Sequence, residues 1–92
     1  MSPSVEAPCL ARATALVWRH VHDGVLVRPL DGRLLRLEGT GPALWSLLEQ
    51  PLGFDLLVDA LAEQYDAEHD TVAADLAPVI ETLVAQGVLQ WR

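Results

Sequence analysis

The sequence predicts an α+β fold, a three-stranded antiparallel β-meander followed by a bundle of three helices. Three observations carry this. Asp23-Gly24 and Asp31-Gly32 fall close together between apolar and β-branched runs, a repeated hairpin signal. The stretch RLLRLEGTGPALWSLL, Arg33 to Leu48, reads as a strand, a tight junction and a helix start. Beyond it, leucines, valines and alanines recur at helical spacing, interrupted at Pro51–Gly53 and again around Asp66.

Each element follows from its residues. Leu16–His22 holds Val17, Trp18 and Val21, which suit a pleated surface. Val25–Val27 makes the second strand, ended by Pro29, and Arg33–Leu37 the third. Such a sheet is marginal alone and needs an apolar layer on one face. The first helix is predicted over Gly41–Glu49, with Thr40 as N-cap, Pro42 in the first turn and Leu44, Trp45, Leu47 and Leu48 on its apolar side. The second covers Asp55–Tyr65, with Leu56, Leu57, Ala60, Leu61 and Tyr65 at helical spacing. The third covers His69–Gln86, with Val72, Leu76, Val79, Ile80 and Leu83 in a stripe. Pro78 inside it predicts a kink at Ala74–Pro78 or a start near Ala74, because proline lacks the N–H that the Ala74 carbonyl needs. Gly87 is placed to end this helix, with Val88-Leu89 folding back on the core. Trp18, Trp45 and Tyr65 are expected in that core.

Ninety-two residues, 51% apolar, make one domain. Residues 1–11 read as a flexible lead-in and 12–92 as the folded unit. No apolar run approaches the roughly 18 residues of a membrane span, and the N-terminus lacks the basic start and apolar run of a signal peptide. A cytoplasmic protein off the membrane is expected. Charge is uneven. Residues 1–48 hold five arginines against four acids, net +1; residues 49–92 hold one arginine against nine acids, net −8. The helical half therefore repels polyphosphate, which argues against nucleic acid as a partner.

No catalytic constellation is visible. Cys9 is the only cysteine, so no intrachain disulfide or two-cysteine metal motif exists, and no motif couples it to a base. His20 and His22 alternate on one strand face without a third ligand, so no metal or other cofactor is expected. The acids of the helical half lack calcium-loop spacing and read as solvating charge. The chain reads as a non-enzyme. Its unusual feature is the third strand, last in the meander, whose outer edge is an open backbone template. Arg33 and Arg36 there are either gatekeepers against aggregation or part of an edge that accepts a peptide strand.

The organising stretch resembles the PqqD-like family, leader-binding domains also called RiPP recognition elements. Leu37, Thr40, Gly41, Leu44, Trp45, Leu47 and Leu48 match its strand–junction–helix segment, L-x-x-T-G-x-x-L-W-x-L-L. Asp55, Leu56, Leu57, Leu61, Tyr65 and Asp66 match its second helix; Asp75, Leu76, Val79, Ile80, Leu83, Gly87, Val88 and Leu89 match its third. Glu38 stands where the family carries asparagine, and Pro78 departs from its third helix. The resemblance implies a winged-helix-like fold and a non-catalytic peptide chaperone of natural product biosynthesis. Its partners would be the leader segment of a ribosomally made precursor and a modifying enzyme (radical SAM enzyme, protease or cyclase). The leader would add as a strand along Arg33, Leu34, Leu35, Arg36 and Leu37, in a groove lined by Asp75, Leu76 and Val79. Two other readings compete: a winged-helix DNA-binding domain, and a small scaffold subunit of a protein complex. A DNA reader needs a basic helix, whereas the third helix carries Asp70, Asp75 and Glu81 and no arginine or lysine.

Overall fold

The computed structural model describes residues 8–92. In chain order the elements are β1 (Cys9–Arg12), β2 (Leu16–Val21), β3 (Gly24–Pro29), β4 (Leu35–Leu37), α1 (Gly41–Leu47), β5 (Leu52–Gly53), α2 (Phe54–Tyr65), α3 (His69–Ala85) and β6 (Leu89–Trp91). The expected meander is β2-β3-β4, antiparallel throughout, and the three expected helices follow. Val25, Val27 and Leu37 on its inner face meet Leu44, Trp45 and Leu48 of the α1 region, Leu57 and Leu61 of α2, and Leu76, Ile80 and Leu83 of α3 in one core.

Both hairpins form, but not for the reason the Asp-Gly pairs suggest. Val21 pairs with Gly24, so His22-Asp23 is the turn and Gly24 opens β3. Neither Asp23, Gly24, Asp31 nor Gly32 has positive φ. Gly24 is required by close approach instead: a Cβ there would strike the Leu37 carbonyl oxygen of β4. The third strand is also shorter than Arg33–Leu37. The register pairs Val27 with Leu35 and Val25 with Leu37, so Arg28 and then Pro29 would face Leu34 and Arg33. Proline has no N–H to donate, and Arg33 and Leu34 stay in the connection.

A second small sheet, β5-β1-β6, was not legible in the sequence. Residues 9–11, expected as part of a flexible lead-in, lie in its central strand; residues 1–7 of that lead-in fall outside the described residues. Leu10 and Ala11 are buried there, with Leu10 paired to Leu52 and Trp91. Arg12 ties this sheet to the meander. Its Nε and Nη2 donate to the Trp45 carbonyl at 3.1 and 2.6 Å, and its guanidinium lies 4.8 Å from the Trp18 ring centroid and 4.5 Å from that of Trp45. Burial pushes the Arg12 pKa down, and Glu49 opposes the shift.

The helix ends follow their own chemistry. Thr40 does not cap α1 with its hydroxyl. Gly39 at φ +62° turns the chain so that the Gly41 N–H reaches the Glu38 carbonyl at 2.9 Å, and Thr40 is already helical. Pro78 neither breaks α3 nor starts it. Ala74 and Pro78 both face solvent, so water can serve the carbonyl that proline leaves unpartnered. The C-terminus of α3 is a full Schellman motif. Gly87 at φ +80° lets the Val88 N–H reach the Leu83 carbonyl (2.9 Å) and its own N–H reach that of Val84 (3.1 Å). This reversal sends Val88 and Leu89 back into the core, both at most 2% exposed.

Candidate peptide-binding site

β4 pairs with β3 on one side and is the edge of its sheet on the other. Alternate residues of an antiparallel edge strand direct N–H and C=O groups outward, so this edge presents backbone donors and acceptors. Two depressions adjoin α3, one against α2 and Thr40 and one against the β4 segment. One, of about 200 Å³, has an apolar floor from Leu61, Val72, Leu76 and Val79 and a rim that includes Thr40, Tyr65 and Asp75. The other, of about 330 Å³, lies at the opposite end, between Arg33 and Leu35 on one side and Ala85 and Gln86 on the other. The β4 segment thus runs from one depression toward the other, with α3 contributing to both.

The eight site residues expected from the sequence do not all come together. Asp75, Leu76 and Val79 line one cavity: Leu76 is buried, Val79 is 38% exposed and Asp75 lies at the rim. Arg33 and Leu35 line the second. Leu37 points its side chain into the core and its carbonyl toward Gly24 of β3. Leu34 and Arg36 turn their side chains to the face of the meander away from the helices. There Arg36 pairs with Glu38 at 2.8 Å and Asp23 at 3.4 Å.

Sequence reasoning missed Thr40, Tyr65 and Thr71 at this cavity. Tyr65 fits the apolar spacing of α2 and was expected in the core, yet it is 46% exposed. It is the last residue of α2, where Asp66 in the left-handed region turns the chain toward α3 and carries the ring to the rim. Trp18 likewise lies at the edge of the inner face, 40% exposed, with its ring edge-on to Trp45 and His20. Trp45 alone of these three aromatics is fully buried. Among the described residues no three His, Cys, Asp or Glu side chains gather to hold a metal ion, and no helix is long and apolar enough to cross a membrane.

No curated protein matches the chain. A solved structure described as TbiB1 in complex with the TbiA(beta) leader peptide superposes with a TM-score of 0.78 at 30% identity, covering 87% of this chain and 94% of that one. The sequence model of coenzyme PQQ synthesis protein D (PqqD) matches residues 23–89, which span β3 through β6 and include both the edge strand and α3. The chain therefore belongs to the PqqD family.

Proposed function

We propose that this chain is a non-catalytic leader-peptide-binding module, which holds the leader segment of a ribosomally made precursor and presents it to a modifying enzyme in the cytoplasm. The observation that carries the reading is the unpaired β4 edge set beside the apolar cavity of α3. The leader peptide bound to the similar TbiB1 supports it. The leader adds antiparallel or parallel to β4 through backbone bonds along Arg33, Leu34, Leu35, Arg36 and Leu37. Leu76 and Val79 receive an apolar side chain, and Asp75 accepts a hydrogen bond at the rim. Strand addition of this kind draws affinity from the main chain and selectivity from the pockets that alternate side chains enter. The enzyme served is a radical SAM enzyme, a protease or a cyclase.

The test is fluorescence anisotropy with labelled peptides taken from the N-terminal segments of any short open reading frames neighbouring the gene of this chain. Saturable binding is expected, with no binding to a DNA duplex near physiological salt. Absence of leader binding, or tight duplex binding that falls steeply with salt, overturns the reading.

A further inference from the structure

The face of the meander that turns away from the helices carries a second surface. Its register sets Val17 against Arg28, Arg19 against Leu26, and Leu26 against Arg36. Arginines and apolar residues therefore alternate across the three strands. Val17 and Leu34 are 62% and 60% exposed. Together with Arg19, Leu26 and Arg28 they line an open cleft of about 240 Å³. Arg36 is neutralised by Asp23 and Glu38, but Arg19 and Arg28 have no ion-pair partner among the described residues. Half of the six arginines of a chain with net charge −7 thus stand on one face, around exposed apolar side chains.

In the isolated chain this arrangement is unfavourable twice over. The apolar side chains meet water, and Arg19 and Arg28, diagonal neighbours on paired strands, carry like charge. Both costs vanish against a surface that places carboxylates around an apolar side chain. A second copy docked by a two-fold axis would set arginine against arginine. The acidic helical half of another copy has the right sign, but such a head-to-tail contact builds rings or open filaments, which sedimentation detects. The α3 cavity lies on the opposite layer, and Val17, Arg19, Leu26 and Arg28 belong to β2 and β3, so this part of the face stays free while a leader occupies the β4 edge.

We infer that the cleft bounded by Val17, Arg19, Leu26, Arg28 and Leu34 is the docking surface for the modifying enzyme, which meets it with an apolar side chain ringed by aspartates or glutamates. The inference rests on the peptide-presenting role proposed above for the identity of the partner.

The experiment uses the full chain, the labelled leader peptide and the purified modifying enzyme encoded beside the precursor. The variants are R19E/R28E and V17A, on β2 and β3 clear of the leader-binding edge. Both are expected to keep their melting temperature and to bind leader within about twofold of wild type, while their affinity for the enzyme falls roughly tenfold or more. Wild-type affinity should also weaken with salt. Unchanged enzyme affinity in both variants, or no enzyme binding by wild type, overturns the inference. So does a wild-type self-association in sedimentation, or a binding to phosphatidylglycerol vesicles, that the charge reversal abolishes in place of enzyme binding. Loss of enzyme binding in the variants of a chain that takes up no leader supports this surface and overturns the peptide reading alone.

Discussion

Asp75 and Leu76 are neighbours on α3, yet substituting each should break a different property. Leu76 is 4% exposed and packs in the core, so Leu76→Ala removes buried methyl groups and leaves a cavity. Such truncations cost about 2–5 kcal/mol. At roughly 4–8 °C per kcal/mol for a domain of this size, the melting temperature should fall by about 8–40 °C, or the chain should fail to fold. Asp75 is exposed, lies inside the helix and makes no ion pair among the described residues. Alanine is the better helix former by up to roughly 0.7 kcal/mol, so Asp75→Ala should leave stability level or slightly raised. Its effect belongs to binding. Losing a charge-assisted hydrogen bond to the leader should weaken affinity by about 1–3 kcal/mol, a factor of roughly 5–150 in Kd. Differential scanning fluorimetry and leader anisotropy on the two variants measure both quantities. Equal leader affinity in wild type and Asp75→Ala removes Asp75 from the site. A melting temperature that falls as far for Asp75→Ala as for Leu76→Ala refutes the placement of Asp75 on the rim.

Two further outcomes follow from the same geometry. Gly24→Ala places a Cβ against the Leu37 carbonyl, backbone that cannot move without β4; it should cost about 1–3 kcal/mol and weaken leader binding with it, and an unshifted urea midpoint would show that β4 is not held this way. Cys9→Ser and His20→Ala, at a half-buried and an exposed strand position, should leave partner-dependent processing of the precursor essentially intact, and complete loss of processing with leader affinity preserved would reveal an active site.

The elements whose signal is local were legible in the chain. Apolar, β-branched runs set off by the two Asp-Gly pairs located β2 to β4, and helical spacing located all three helices, within a residue or two. Gly87 ended α3 as expected, since a left-handed residue beyond a helix is a demand of the backbone itself. The ordering of strand, junction and helices was enough to suggest the family. What the chain could not disclose depends on partners distant in sequence. The β5-β1-β6 sheet joins strands of four, two and three residues, too short to carry a period, and their pairing exists only once the helices bring Leu52 and Trp91 to Leu10. Gly24 announced a turn, but the carbonyl that requires a glycine there comes from Leu37 across the sheet. Tyr65 has the spacing of a core residue, and the turn at Asp66 sets it at the rim of a cavity. Leu34 and Arg36 share a segment with Leu35 and Leu37, and sheet pairing sends the first two to one face and the second two to the other. Sequence determined the meander and the helices, because their signals rest on neighbours along the chain; tertiary structure decided the second sheet and which side chains share a surface, because those depend on register and packing between segments far apart in it.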